Sequence, residues 1–192
     1  MRGSKVGVLA LQGAVALHVE ALSAVGATPV DIRCLEDLAG IDALVLPGGE
    51  STAISKLLEA GGMAHAVAER LAEGMPALGT CAGMILLAAD VADGRPDQRC
   101  LAAVDIGVRR NAFGRQVDSF ETSLEIAGID DGPFPAVFIR APVVERVGAG
   151  VEVLASVDGR PVLCRQGEVT VAAFHPELAG DLRLHQLFLD RI

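Results

Sequence analysis

Cys81 lies in Gly79-Thr80-Cys81-Ala82-Gly83-Met84, between the apolar runs 75–78 and 84–87. The spacing fits a G-x-nucleophile-x-G elbow, with sulfur where hydrolases of that pattern more often carry a serine hydroxyl. A nucleophile forced into a tight strand-to-helix turn crowds its neighbours, and Gly79 and Gly83 remove the side chains that would collide. The same turn leaves the thiol at the N-terminus of the following helix, where free N–H groups favour the thiolate, the form that attacks. Free cysteine is among the most buried residue types. Cys34, Cys100 and Cys164, which lack such flankers, are therefore read as small core residues.

A nucleophilic thiol needs a base, and His175-Pro176-Glu177 offers one together with the group to orient it. In extended chain, residues i and i+2 share a face, so Glu177 can hold one ring nitrogen while the other meets Cys81. On its own His-Pro-Glu is a common loop sequence. Its place after an apolar strand, in a chain with an elbow cysteine, gives it weight. His18, His65 and His185 fall within helical patterns and read as packing or surface residues.

Attack on an amide carbonyl creates an oxyanion, and two preorganised N–H donors stabilise it. Ala82 supplies one natural donor, directly after the nucleophile. Gly48-Gly49 can supply the other, since adjacent glycines let the backbone approach a substrate. The plainer reading of Pro47-Gly48-Gly49 is a turn, with Ser51 or Thr52 capping the next helix; the two are compatible.

These segments need a scaffold that brings strand ends together, and the periodicity predicts one. Strands are expected at residues 5–11, 29–33, 43–46 and 77–80, and helices across 15–25, 52–59 and 63–73, with Gly26 ending the first. The order is β-α-β, which implies a mostly parallel sheet covered on both faces. After about residue 99 the texture turns to β-like runs at 104–108, 119–126, 136–139, 151–157, 162–165 and 169–174, closed by a helix at 182–189. The expected fold is a flavodoxin-like, layered α/β/α arrangement with additional antiparallel strands in the C-terminal half, one domain over residues 1–192. Ligands in such sheets sit at the carboxyl ends of strands. Residues 47–52, 79–83 and 175–177 all fall there.

Composition narrows the function classes. The 192 residues are 51% hydrophobic with 22 glycines, and neither Trp nor Tyr is present. Sixteen Lys and Arg against 25 Asp and Glu give a formal charge of -9, with no basic run to track a phosphate backbone, so nucleic acid is excluded as a partner. The longest apolar stretch, near 83–89, falls well short of the roughly 20 residues of a membrane span. The N-terminal stretch lacks the order of a signal peptide, and residues 1–4 are left out of the fold argument. Four cysteines without CxxC spacing argue against a disulfide framework and a zinc site. No cofactor or metal is implied, and a cytoplasmic setting fits best.

On these residues the chain resembles the class I, triad-type glutamine amidotransferases. Within them it is similar to the glutaminase subunits of pyridoxal 5'-phosphate synthase, on five segments: residues 7–14, 46–52, 79–84, 110–121, and 138–142 with 174–178. The elbow and His-Pro-Glu occur across the superfamily, whereas the Arg110 segment and Phe138-Ile139-Arg140-Ala141-Pro142 are specific. The resemblance implies that Cys81 is the nucleophile of a triad with His175 and Glu177, and that Gly49 and Ala82 form the oxyanion hole. It also implies that glutamine is held by Gly49, Glu50, Ser51, Arg110, Ile139 and Arg140. Arg110 and Glu50 are sensible counter-charges for the α-carboxylate and α-ammonium of a free amino acid, with Arg109 and Arg115 as alternatives to Arg110.

Further implied are hydrolysis of glutamine through a glutamyl thioester and delivery of ammonia to a (β/α)₈ synthase subunit, in an assembly of twelve chains of each kind. Leu17 stands where the family pattern has glutamate before the histidine, in a region used toward that partner. Glutaminases of purine, pyrimidine or histidine synthesis are the nearest rivals. A redox or deglycase-type elbow thiol, which draws on an upstream glutamate and does not need His175 and Glu177, is the alternative of another class.

Overall fold

A computed structural model of the chain describes residues 3–95, 98–110 and 119–192. Residues 111–118 of the Arg110 segment, Arg115 among them, lie outside the described residues, as do Met1 and Arg2. The chain begins β1 (Lys5–Leu9), α1 (Val15–Ala24), β2 (Thr28–Ile32), β3 (Ala43–Leu46), α2 (Ser51–Ala60), α3 (Met63–Ala72), β4 (Ala77–Thr80) and α4 (Ala82–Leu87). It continues β5 (Ala88–Val91), β6 (Val104–Arg109), β7 (Phe120–Leu124), β8 (Phe134–Phe138), β9 (Val143–Val147), β10 (Glu152–Val157), β11 (Arg160–Gln166), β12 (Val169–Ala172) and α5 (Arg183–Leu189).

Seven strands form the central sheet in the order β10-β11-β12-β4-β3-β1-β2. The five from β12 to β2 run parallel, while β10 and β11 extend the sheet antiparallel. β3, β4 and β12 are buried at every residue, as strands covered on both faces must be. Alternation along the strands separates two packing surfaces. Val6, Val8, Val45 and Leu78 pack with Leu22 of α1 and Phe188 of α5, whereas Leu44, Leu46 and Ala77 join Ile54, Leu58, Met63 and Val67 of α2 and α3. The layered α/β/α expectation and the antiparallel additions hold.

Two smaller sheets complete the described part: β5-β6-β9, and the β7-β8 hairpin. β5 and β9 are absent from the sequence reading, each only 4 or 5 residues long and without clean alternation. The hairpin bears on the site. Phe120 stacks on Phe138 with centroids 4.5 Å apart, and Phe138 and Phe134 both pack on Phe174. This aromatic cluster sets β8 beside the residue after Phe174, and the His175 N–H donates to the Val137 carbonyl at 2.8 Å.

Two local expectations need correction. Cys34 is exposed rather than a core residue, with its thiol hydrogen-bonded to Asp37 at 3.2 Å, while Cys100 is half-buried and Cys164 buried. Glu50, not Ser51 or Thr52, caps α2: its carboxylate accepts the N–H groups of Thr52 and Ala53 at 3.1 and 2.7 Å. A longer side chain bonds two free donors at once, and its charge complements the helix N-terminus. Among the described residues no helix is long and apolar enough to cross a membrane.

Candidate active site

Strand order reverses at β1, whose neighbours are β2 on one side and β3 on the other. In parallel sheets that reversal opens a crevice at the carboxyl ends. The loops after β1 and β3 meet there, the Ala14 N–H donating to Gly48 O at 3.0 Å and the Glu50 N–H to Gln12 Oε1 at 2.7 Å. The loops after β4 and β12 add Cys81 and His175. Together they bound a cavity of about 520 Å³.

Cys81 adopts φ 49° and ψ −101° between β4 and α4. This lies outside the regions open to an L-residue and costs roughly 1–3 kcal/mol. Neighbouring backbone holds it: the Cys81 N–H donates to Ala172 O of β12 at 2.8 Å, and its carbonyl accepts from Ile85 N–H at 3.3 Å. The flanking glycines are required sterically. A Cβ on Gly79 would meet Gly83 backbone at 2.8 Å, and one on Gly83 would lie 2.0 Å from Leu46 O. The elbow is thus wedged against β3. Only 8% of Cys81 is exposed, into the cavity, and its Sγ lies 3.9 Å from the Ile139 carbonyl.

His175 and Cys81 flank one glycine. A Cβ on Gly48 would stand 2.4 Å from His175 Cε1 and 3.4 Å from Cys81 Cβ. His175 Nδ1 is 2.7 Å from Glu177 Oε1, and the Glu177 side chain is fully buried. The two residues meet through a 3₁₀ turn at Pro176–Leu178, not through the extended chain the i, i+2 argument assumed. Burial opposes charge on His175, but hydrogen bonds to Cys81 and Glu177, reinforced by their negative charge, raise its pKa to about 10. Burial likewise opposes ionisation of Glu177, and the hydrogen bond from His175 with the fields of His18 and His175 holds it below the usual carboxylate value. The unit reads Cys81–His175–Glu177.

Gly49, Glu50, Ser51, Arg110, Ile139 and Arg140 all line the same cavity. Ala82, the first residue of α4 and 1% exposed, follows Cys81 directly but is not itself part of the cavity lining. Arg110, not Arg109, faces inward: its Nη1 donates to Thr52 Oγ1 at 2.9 Å and Gln98 Oε1 at 2.7 Å, with Nη2 at 3.6 Å from Glu50 Oε1. Arg109 pairs outside with Glu145 at 2.6 Å. Gln12, Gly13 and Ala14 also line the cavity, and only the resemblance had drawn attention to that segment.

The sequence reading missed His18 and His185. Both are fully buried, and His18 Nε2 lies 3.1 Å from Thr80 Oγ1 and 3.3 Å from Glu177 Oε2 while its Nδ1 lies 3.1 Å from His185 Nε2. A helical pattern marks a residue as inward-facing without saying what it meets. His65, by contrast, is exposed and pairs with Glu69.

Burial lowers the pKa of both residues; for His185 the nearby His18 adds to it and the value reaches about 4. Below pH 6.5 the unfolded chain takes up protons that the folded one refuses, so this stabilisation is complete above about pH 6.5 and lost as pH falls toward 4. At about 1.4 kcal/mol per pH decade, His185 alone accounts for a loss on the order of 3 kcal/mol. Thermal melts from pH 7.5 down to 4.5 will show a steeper decline for the wild type than for His185→Leu.

Residues 8–192 match the model of the SNO glutamine amidotransferase family. The chain belongs to that family. It is 60% identical over 190 residues to pyridoxal 5'-phosphate synthase subunit PdxT of Nocardia farcinica, covering 96% of this chain and 84% of that protein. It is 54% identical over 190 residues to the PdxT subunit of Frankia alni, covering 99% and 96%. A crystal structure of a glutamine amidotransferase superposes with a TM-score of 0.91 at 51% identity, covering 97% of each chain.

Proposed function

We propose that this glutamine amidotransferase is the glutaminase subunit of pyridoxal 5'-phosphate synthase, hydrolysing L-glutamine to L-glutamate and ammonia at Cys81. The carrying observation is a thiol and an imidazole brought together beside Gly48 at one cavity, with the imidazole hydrogen-bonded to a buried carboxylate. The thiol proton resides on His175, whose raised pKa suits it to hold that proton, and the sulfur attacks the side-chain carboxamide carbon. The N–H groups of Gly49 and Ala82 receive the oxyanion. On collapse, His175 returns the proton to the departing ammonia, leaving a glutamyl thioester. His175 then deprotonates water, which attacks the thioester; glutamate leaves and the thiol is restored.

Arg110 and Glu50 bind the α-carboxylate and α-ammonium, with Ser51, Ile139 and Arg140 enclosing the rest. Glu50 is already engaged by the α2 cap and Arg110, so its carboxylate is held in place before substrate arrives. Arg110→Met will raise KM for glutamine about 10-fold to 100-fold, the loss of one charge-assisted contact, with kcat nearly unchanged. Steady-state kinetics of the complex measures both.

The ammonia goes to a (β/α)₈ synthase subunit, in an assembly of twelve chains of each kind, in the cytoplasm. On docking, the Gly48-Gly49 peptide reorients to complete the oxyanion hole, giving up the Ala14 N–H bond to Gly48 O. Mixing the chain with its synthase and following glutamate release tests the function; copurification and the mass of the complex test the assembly. A redox or deglycase-type thiol would not need an imidazole held by a buried carboxylate. Rapid peroxide oxidation of Cys81 without covalent capture by a glutamine-analogue electrophile would favour that class instead.

A further inference from the structure

We infer that His18, backed by His185, is a positioning residue for the triad: it holds the second oxygen of Glu177 and thereby fixes the carboxylate that orients His175. The inference rests on the triad reading above. A buried carboxylate requires donors at both oxygens. Oε1 has His175 Nδ1 at 2.7 Å, whereas Oε2 has no aligned hydrogen-bond partner among the described residues; His18 Nε2 lies 3.3 Å from it while hydrogen-bonded to Thr80 Oγ1 at 3.1 Å. None of Glu177, His18 or His185 has its side chain open to water.

The chain of contacts admits two proton arrangements, and electrostatics selects one. If His18 carries its proton on Nε2, it donates to Thr80 Oγ1 and turns its positive N–H edge toward Glu177 Oε2 at 3.3 Å, and its bare Nδ1 accepts from His185 Nε2–H at 3.1 Å. The atom left over is His185 Nδ1, which has no partner among the described residues and here is a bare acceptor. In the opposite arrangement the Thr80 hydroxyl donates to His18 Nε2, and His18 Nδ1–H donates to His185 Nε2. The His18 lone pair then faces a carboxylate oxygen at 3.3 Å, and His185 Nδ1 holds a buried N–H with no acceptor. Like-signed atoms facing each other in a dry interior, plus an orphan donor, make the second arrangement the costlier one.

Protons therefore sit on Nε2 of both His185 and His18 and on Nδ1 of His175, leaving Nε2 of His175 as the atom that holds the proton taken from Cys81. The groups facing His18 are Glu177 and His175 after β12, His185 on α5 and Thr80 on β4. Burial keeps both supporting rings neutral, so each acts as a fixed dipole.

Nitrogen-15 spectra of the histidine-labelled full chain read this directly. His18 and His185 are expected as neutral Nε2–H tautomers, unchanged from pH 6 to 8. An Nδ1–H tautomer at His18 would overturn the inference without touching the assignment of the triad, which stands or falls on Cys81→Ala. In the complex with the synthase, His18→Leu will lower kcat about 10-fold to 100-fold, the range seen when the group orienting a functional histidine is removed, and leave KM for glutamine unchanged. His18→Gln, which keeps an amide donor near Nε2, will recover most of that loss and keep the His175 Nδ1–H signal that His18→Leu loses. Equal rates for wild type and a folded His18→Leu would equally overturn it.

Discussion

Cys81→Ala lowers kcat for glutamine hydrolysis by at least about 10⁴-fold in the complex with the synthase, the scale of loss when the nucleophile of a triad is removed. Alanine keeps the Cβ and sits in the same backbone conformation, so the elbow geometry survives. The deleted sulfur faces the cavity, its Sγ 3.9 Å from Ile139 O. Stability therefore changes little, and the loss falls on chemistry. Cys34→Ala and Cys164→Ala are the controls, one an exposed thiol and the other a buried one, and neither lines the cavity. Both will keep wild-type kcat. A Cys81→Ala chain that still released glutamate at the wild-type rate would remove the basis for the mechanism.

The layers and the elbow were legible because both are local signals. Buried parallel strands write themselves as short apolar runs, and a nucleophile at a strand-to-helix turn demands small neighbours at fixed offsets. What the sequence hid depends on distant parts of the chain. His18 and His185 are 167 positions apart, yet their rings share a hydrogen bond. Each reads as a packing residue until both helices settle on the same face of the sheet. Glu50 was assigned to the ligand by resemblance, and its second role as the cap of α2 appears only once the loop after β3 is folded against Gln12. The turn joining His175 to Glu177 was misjudged because the segment was read as extended chain, whereas a proline at the first position of a turn favours 3₁₀ geometry.

Two glycines at this site separate catalysis from stability, although both are tightly packed. A methyl group on Gly83 would lie 2.0 Å from the Leu46 carbonyl oxygen and 2.9 Å from its carbon. Those are backbone atoms of a central strand, so α4 must move off β3 to admit the methyl. Overpacking against an unyielding neighbour costs on the order of 3 kcal/mol, and Gly83→Ala will melt several degrees lower. A methyl on Gly48 instead meets the His175 ring, 2.4 Å from Cε1 and 3.0 Å from Nδ1. A side chain can yield where a strand cannot, and the ring swings aside at small cost to the fold. It then loses its alignment with Cys81 and strains its 2.7 Å bond to Glu177. A displacement near 1 Å in a reacting group costs about 100-fold in rate, so Gly48→Ala will melt near the wild type yet turn over glutamine at least about 100 times more slowly. If Gly48→Ala kept its kcat, the imidazole would not need the position that this structure gives it, and the proton would have to leave the sulfur by another route.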